Sequence, residues 1–275
     1  MFLRRFYFVI AFLFPLVLTS QTLPEVSARV PFTIGESMTF YSHLLGEERE
    51  INLYFPQGYA DSSHKSYPVI YLLDGSVDED FIHIAGLVQF GSFSWINMLP
   101  ESIVVGIANV DRKRDFTFPT ENKRDKKDFP TTGGSGPFID FLSNELQPLI
   151  EKEYRTTGSK TLIGQSLGGL LATEILFTQP DMFDNYIIVS PSLWWDDESL
   201  LEAEPAAYTS PKSIYVAVGK EGKVMERTAR ELFGKLQERG IPHTKLYFQF
   251  LDEQDHGDAL HLAVYHAFER IFSEQ

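Results

Sequence analysis

Short apolar runs rich in branched residues recur along the chain and alternate with segments of helical spacing. Alternating apolar and polar positions on either side of Gly46-Glu47-Glu48 predict an antiparallel hairpin over about residues 37–55. Largely apolar runs, typical of strands buried on both faces of a parallel sheet, follow at 69–73, 103–107, 161–163, 186–189, 214–218 and 246–250. Helical spacing occurs between them at 138–150, 167–177 and 225–239.

This alternation of strands and helices predicts one α/β domain that extends over residues 21–275. We expect its central sheet to be mostly parallel, with about eight strands and with helices on both faces. The sequence of this region contains no internal repeat, linker or low-complexity tail.

The first twenty residues have a different pattern from the rest. Arg4 and Arg5 precede an uncharged run at 6–18, which is shorter than the roughly 20 apolar residues of a spanning helix. Small polar residues follow, so residues 1–20 are predicted to be a cleaved signal peptide. The mature protein would then be exported, either periplasmic or secreted, with no stable membrane anchor. An uncleaved anchor is the alternative, because Leu18 is a poor residue three positions before the cut.

The composition narrows the possible chemistry. Of the 275 residues, 24 are Lys or Arg and 38 are Asp or Glu, which gives a formal net charge of −14. So acidic a chain has no broad basic surface, which argues against nucleic acid as a partner. The absence of cysteine excludes disulfides, thiolate metal sites and a cysteine nucleophile. Catalysis would have to come from serine, histidine, carboxylates or a cofactor.

One motif combines a serine with glycines between a predicted strand and a predicted helix. The segment Gly164-Gln165-Ser166-Leu167-Gly168-Gly169 follows the run at 161–163 and opens the helix at 167–177. A G-x-S-x-G motif in this setting is typical of a nucleophile elbow, in which Ser166 stands at a strained turn. We expect side chains at 164 and 168 to collide with backbone, and the Leu167 N–H to point at a developing oxyanion. The alternative is an ordinary glycine-rich turn, of the kind that often binds phosphate.

A serine nucleophile needs a base, and one histidine stands out in position. In this type of elbow the order along the chain is serine, acid, histidine. His256 lies in a polar turn after the last predicted strand and is the expected base. His261 and His266 fall in a terminal helical run, and their spacing lacks the i, i+4 geometry of helical zinc ligands, so no metal site is predicted.

The acid that orients the histidine is expected in the loop after the run at 214–218. Glu221 is our choice, because its distance from the strand end is right for a carboxylate that fixes the tautomer of His256. The alternatives are Glu226, Asp252 and Asp255.

A second oxyanion donor is expected in the loop that follows the run at 69–73. This loop reads Asp74-Gly75-Ser76, and Gly75 would let the backbone approach a substrate closely. The N–H of Gly75 or Ser76 is therefore the expected partner of the Leu167 N–H. The alternative is an ordinary Asp-Gly turn.

These features together resemble the Putative esterase family of the α/β-hydrolase superfamily, and most closely its siderophore-esterase-like members. The similar segments are 67–75, 114–117, 138–154, 164–169, 180–184, 190–195, 219–221 and 256–257, and the likeness extends over about residues 36–273. The resemblance implies an α/β-hydrolase fold with Ser166 as the nucleophile and His256 as the base. It places the acid at Glu221, although some members of the family work with a serine-histidine dyad.

Two further features suggest how a substrate is bound. The segment 111–128 carries seven cations against five anions, so Arg112 and Arg114 could attract an anionic ester or a ferric chelate. The alternative is a solvated loop. Trp194 and Trp195 follow the run at 186–189 and could form an aromatic wall for an acyl or aryl group, or pack a cap segment.

The sequence therefore predicts an exported serine esterase that hydrolyses a small-molecule carboxylic ester, such as a siderophore-type or acylated-sugar ester, through an acyl-enzyme. It needs no metal and no organic cofactor. One alternative is an acyltransferase with the same triad, and another is a non-catalytic ligand-binding protein of the same fold. The sequence carries no signal for an oligomeric state.

Overall fold

The computed structural model describes residues 23–61 and 64–272. Residues 23–33 are exposed and contain neither helix nor strand, and the compact unit begins at Ile34. The predicted signal peptide, residues 1–20, lies outside the described residues.

An eight-stranded sheet forms the centre of the compact unit in the described residues. The strands are β1 (Gly35–Ser42), β2 (Glu47–Tyr54), β3 (Tyr67–Leu73), β4 (Ile103–Ile107), β5 (Thr156–Gln165), β6 (Asn185–Val189), β7 (Lys212–Gly219) and β8 (Thr244–Leu251). Their order is β1-β2-β4-β3-β5-β6-β7-β8. Only the β1–β2 and β2–β4 pairings are antiparallel, so the predicted hairpin and the mostly parallel sheet are both confirmed.

Helices cover both faces of this sheet, as predicted. The described helices are α1 (Phe81–Gly91), α2 (Arg112–Asp115), α3 (Lys123–Asp128), α4 (Ser135–Phe141), α5 (Gln147–Glu153), α6 (Leu167–Thr178), α7 (Ser199–Glu202), α8 (Lys223–Arg239) and α9 (Ala259–Phe272). Alternate strand residues point to opposite faces. Tyr71 and Leu73 join the core under α4, α5, α6 and α8, whereas Ile70 and Leu72 join the core under α1 and α9.

Two local features differ from the sequence expectation. The helix predicted at 138–150 contains a π-helical segment, Leu142–Leu146, between α4 and α5. Pro148 follows it and has no N–H to donate to the preceding turn, so the helix departs from α geometry there. The run at 246–250 is only half-buried, because β8 is an edge strand.

A buried arginine ties the segment 111–128 to the sheet. Arg49, on β2, is 1% exposed and its guanidinium lies 2.8 Å from the Asp115 carboxylate and 3.0 Å from Glu47. The same guanidinium lies over the rings of Phe138 and Phe141. Because a buried charge needs a partner, these contacts fix α2 beside the carboxyl end of the sheet.

The turn from β5 into α6 is strained at Ser166. Its φ of 60° and ψ of −119° are sparsely populated by non-glycine residues and persist only where the surroundings hold them. The Ser166 N–H donates to the Val189 carbonyl at 3.1 Å, and its own carbonyl accepts from Leu170 at 2.9 Å. The turn is therefore anchored both to β6 and to the first turn of α6.

The glycines of this turn have unequal roles. A Cβ at Gly164 would lie 2.3 Å from the Gly168 carbonyl oxygen, a collision with backbone. A Cβ at Gly168 would meet its nearest neighbours, Asp74 and Leu73, at 3.4 Å, so the clash predicted there is wrong. A Cβ at Gly169 would lie 2.9 Å from Pro191 Cα. Gly169, and not Gly168, is therefore the second position at which a side chain would collide with backbone, because α6 packs there against the segment after β6.

We expect Gly164→Ala to destabilise the protein much more than Gly168→Ala. The first change forces backbone apart, at a cost of about 3 kcal/mol in the free energy of unfolding. The second adds a methyl group at an ordinary contact distance inside a helix, and should cost under about 1 kcal/mol. Urea unfolding of both variants measures the difference. Equal losses of stability would contradict this account of the turn.

Candidate active site

The acid and base positions meet in a direct hydrogen bond. His256 lies in the loop between β8 and α9, and Glu221 lies in the loop between β7 and α8. His256 Nδ1 is 2.5 Å from Glu221 Oε2. The Glu221 side chain is 3% exposed and that of His256 is 48% exposed. The carboxylate is therefore buried beneath a ring that reaches solvent.

Two of the alternative acids have other partners. Glu226 accepts the N–H of Gly222 at 3.0 Å, and Asp255 accepts the N–H of Gly257 at 2.8 Å. Both bonds stay within a single loop or helix start. Of the carboxylates considered from the sequence, Glu221 is the one that the fold brings to the His256 ring.

The other oxygen of Glu221 is held by two donors. Glu221 Oε1 accepts the hydroxyl of Ser190, at the end of β6, and the N–H of Gly219 at 2.9 Å. Burial opposes ionisation of Glu221, but the hydrogen bonds from His256, Ser190 and Gly219 outweigh it and lower its pKa. The hydrogen bond with Glu221 in turn raises the pKa of His256, against the effect of burial. The pair thus favours an ionised carboxylate and a more basic imidazole.

Ser166 and His256 line one cavity of about 620 Å³, together with Ser192, Trp194, Lys220, Glu221, Met225 and Asp255. The Ser166 hydroxyl lies 3.3 Å from the Ser192 hydroxyl. No hydrogen bond joins it to His256 in the described part of the chain. Catalytic hydrogen bonds are often long or poorly aligned before a substrate binds.

The oxyanion donors are only partly as expected. Leu167 is the first residue of α6, where backbone N–H groups have no intrahelical partner. Gly75 is a correction, because its N–H donates to the Ile107 carbonyl at 2.9 Å and is not available. A Cβ at Gly75 would lie 2.3 Å from Gly106 Cα, so this glycine allows close packing on β4. The Ser76 N–H makes a longer bond, 3.3 Å, to the exposed Glu79.

Arg112 lies near the site, but its charge is already paired. Its guanidinium contacts both oxygens of Asp74, at 2.6 and 2.8 Å, and donates to the Gln165 carbonyl at 3.3 Å. The Gln165 amide donates to the His256 carbonyl at 2.7 Å. This chain of contacts joins the loops after β3, β5 and β8. Arg112 therefore links these loops and is not among the residues that line the cavity.

Arg114 and Trp195 also need correction, because neither lines the cavity. The Arg114 guanidinium is held by Glu47 at 2.5 Å and by Asp115 at 2.7 Å. Trp195 is fully buried, and its indole N–H donates to the Phe118 carbonyl at 3.0 Å. It packs against the rings of Phe118 and Phe129, whereas Trp194 does line the cavity.

Several residues of the site were not singled out from the sequence. Lys220 lines the cavity directly before Glu221, and its ammonium forms no ion pair within the described residues. Ser190 and Ser192 contact the acid and the candidate nucleophile. All three adjoin positions that the sequence did identify, since the Ser190-Pro191-Ser192 segment belongs to the resemblance and Lys220 is next to Glu221.

Two kinds of feature are absent from the described ranges. Residues 23–61 and 64–272 contain no group of three His, Asp or Glu side chains that could hold a metal ion. In the same ranges no helix has the length and apolar character needed to cross a bilayer.

Comparison with known proteins gives consistent matches over most of the chain. The model of the Putative esterase family matches residues 42–269. Ferri-bacillibactin esterase BesA from Bacillus subtilis is 30% identical over 236 residues, which cover 76% of this chain and 81% of that protein. The siderophore triacetylfusarinine C esterase of Aspergillus fumigatus is 32% identical over 116 residues, 39% of this chain and 40% of that protein.

A solved structure agrees with these sequence matches. An IroE-like serine hydrolase from Shewanella oneidensis superposes with a TM-score of 0.78 at 30% identity, over 87% of this chain and 80% of that one. The family match, the relatives and the eight-stranded sheet with helices on both faces lead to one assignment. The chain belongs to the Putative esterase family, and it is a carboxylic ester hydrolase with the α/β-hydrolase fold.

Proposed function

We propose that the protein is an exported serine esterase that cleaves carboxylic esters through an acyl-enzyme, with Ser166, His256 and Glu221 as its triad. The observation that carries the proposal is the 2.5 Å contact between His256 and the buried Glu221, in the same cavity as Ser166. A strained serine at a helix start and a carboxylate-bound imidazole are the parts that serine ester hydrolysis requires.

The geometry supports a two-step reaction. Ser166 Oγ turns from Ser192 towards His256 and attacks the ester carbonyl carbon, while its proton passes to His256 Nε2. Glu221 stabilises the imidazolium, and the N–H groups of Leu167 and Ser76 bind the oxyanion. When the tetrahedral intermediate collapses, the alcohol leaves with the proton from His256. Water then attacks the acyl-enzyme with His256 as base, releasing the acid and restoring Ser166.

The exposure of the base favours hydrolysis over transfer to another alcohol. An acyltransferase must keep water from the acyl-enzyme, but nearly half of the His256 side chain is exposed. Water therefore has ready access to the group that would activate it.

The substrate we propose is an anionic, siderophore-type ester. Two of the relatives are named as esterases of ferri-bacillibactin and of a siderophore. In this chain, Trp194 and Met225 supply apolar surface for an acyl or aryl group, and Lys220 supplies a cation. The predicted signal peptide at 1–20 supports action in the periplasm or outside the cell.

We expect Ser166→Ala to lower kcat about 10⁴- to 10⁶-fold without a loss of folding. The reason is that the variant lacks the atom that forms the acyl-enzyme. A fluorophosphonate probe should label the wild type and not the variant, and thermal unfolding is the control for folding. A folded wild-type protein that resists the probe would favour the non-catalytic alternative.

The natural ester is sought with a panel of aryl, acetylated-sugar, feruloyl and catecholate-lactone esters. Added alcohol acceptors in the same assay reveal any acyl transfer.

The activity should rise with pH over an interval centred above the ordinary histidine value of about 6.5. His256 must be neutral to accept the proton, and its hydrogen bond with Glu221 raises its pKa, so the active form is lost as pH falls through that raised value. Glu221→Gln should move the His256 titration towards lower pH and reduce kcat about 10³- to 10⁴-fold. The kcat/KM profile of the wild type and the NMR titration of His256 in both proteins measure this. An unchanged titration in the variant would argue against Glu221 as the partner.

Lys220→Glu should reduce kcat/KM for an anionic ester about 3- to 10-fold more than for a neutral ester of similar size, because it reverses the charge in the cavity wall. Lys223→Glu is the matched control, since it makes the same charge change at an exposed position outside the cavity lining. Steady-state kinetics with both esters give the ratio. The same ratio in both variants would mean that only net charge matters.

A further inference from the structure

Three adjacent strands of the sheet end in the same unusual way. Directly after β3, β5 and β6 stand the non-glycine residues Asp74, Ser166 and Ser190, with φ of 57°, 60° and 45°. Such conformations are strained for non-glycine residues and persist only where contacts enforce them. The nucleophile elbow explains the positive φ of Ser166, and the side chain of Asp74 forms an ion pair with Arg112. The conformation of Ser190 needs its own explanation.

Ser190 is fully buried and is tied to the neighbouring strand through both backbone and side chain. Its N–H donates to the Ala217 carbonyl of β7 at 2.7 Å, which holds the backbone at the strand end. Its hydroxyl donates to Glu221 Oε1, in the loop that follows β7. The left-handed turn therefore places a hydroxyl donor from β6 on the carboxylate that follows β7.

The two carboxylate oxygens of Glu221 have different hydrogen-bond partners. Oε1 accepts from Ser190 and from the Gly219 N–H, and Oε2 faces His256 Nδ1. Gly219 is the last residue of β7 and lies only two residues before Glu221, so its bond does not tie the carboxylate to another strand. Ser190 is the donor that ties this carboxylate to a different strand. Two residues further on, the Ser192 N–H donates to the Ser166 carbonyl at 3.0 Å, so one short segment contacts both ends of the candidate triad.

We propose that Ser190 is a positioning residue: its buried hydroxyl holds the Glu221 carboxylate in the orientation that directs Oε2 at His256. This inference rests on the proposed function, because it assigns a role within the same triad. Ser190 touches neither the substrate nor the reacting atoms, and acts through Glu221.

The first test is Ser190→Ala, compared with a matched variant elsewhere. We expect kcat to fall about 10-fold and KM to change less than about 2-fold, because the variant loses a hydrogen bond to a charged group and binding contacts are kept. Ser42→Ala is the control. Ser42 is also fully buried and donates to a carboxylate, Glu145, which accepts the N–H groups of His43 and Leu44 at 2.9 and 3.1 Å. The Ser42→Ala variant should lose about as much stability as Ser190→Ala, but its kcat should stay within about 2-fold of the wild type.

The second test asks whether the effect passes through Glu221. In a Glu221→Ala background, Ser190→Ala should change kcat less than about 2-fold, since there is no carboxylate left to hold. The same 10-fold loss in both backgrounds, or an equal loss in Ser42→Ala, would overturn the proposal. If Ser190→Ala does not fold, Ser190→Gly also removes the hydroxyl and relieves the positive φ, and the same comparison is made with it.

The outcome also separates this inference from the proposed function. Wild-type turnover by Ser166→Ala would refute the serine mechanism itself. An inactive Ser166→Ala protein combined with an unchanged kcat in Ser190→Ala would refute only the role of Ser190.

Discussion

The buried negative charge of Glu221 is the constraint on which the rest of the site depends. A carboxylate that is 3% exposed stays ionised only if hydrogen bonds replace the lost water. The donors come from the ends of β6 and β7 and from the loop after β8, through Ser190, Gly219 and His256. Because these elements must meet for the charge to be stable, the packing of this end of the sheet and the geometry of the Glu221–His256 pair depend on the same contacts.

A second group of buried carboxylates explains why the cationic segment does not behave as its composition suggests. Arg112 is paired with Asp74, Arg114 with Glu47 and Asp115, and Arg49 with Asp115. Each of these arginines is held by at least one carboxylate of the protein itself. The arginines at the carboxyl edge of the sheet therefore stabilise loops. A count of charges along the sequence cannot distinguish arginines that stabilise loops from arginines that bind a ligand, because most of the carboxylates that pair with them lie far away along the chain.

The parts of the molecule that follow from local patterns were predictable, whereas several contacts between residues far apart along the chain were not. The strands, the turn at Ser166 and the location of His256 after a strand are visible in runs of ten residues or fewer. The loss of Gly75 as a donor depends on the Ile107 carbonyl across the sheet, and the burial of Trp195 depends on Phe118. Likewise, the clash attributed to Gly168 occurs at Gly169, because Pro191 comes from another strand end. Topology fixes these contacts, and no short window of the sequence contains both partners.

The sign of the net charge sets a condition on how an anionic ester could be recognised. A chain with a formal charge of −14 repels an anion at long range, but salt screens that repulsion beyond about 8 Å at physiological ionic strength. Recognition must then arise from charges within a few ångströms of the bound ester. Lys220 lines the cavity without an ion pair in the described residues, whereas the paired Arg112 adds a local positive field that also opposes protonation of His256. Lys220, directly before Glu221, would thus orient the ester through its charge. The Glu221–His256 pair would keep its geometry, since Ser190 and Gly219 hold the carboxylate.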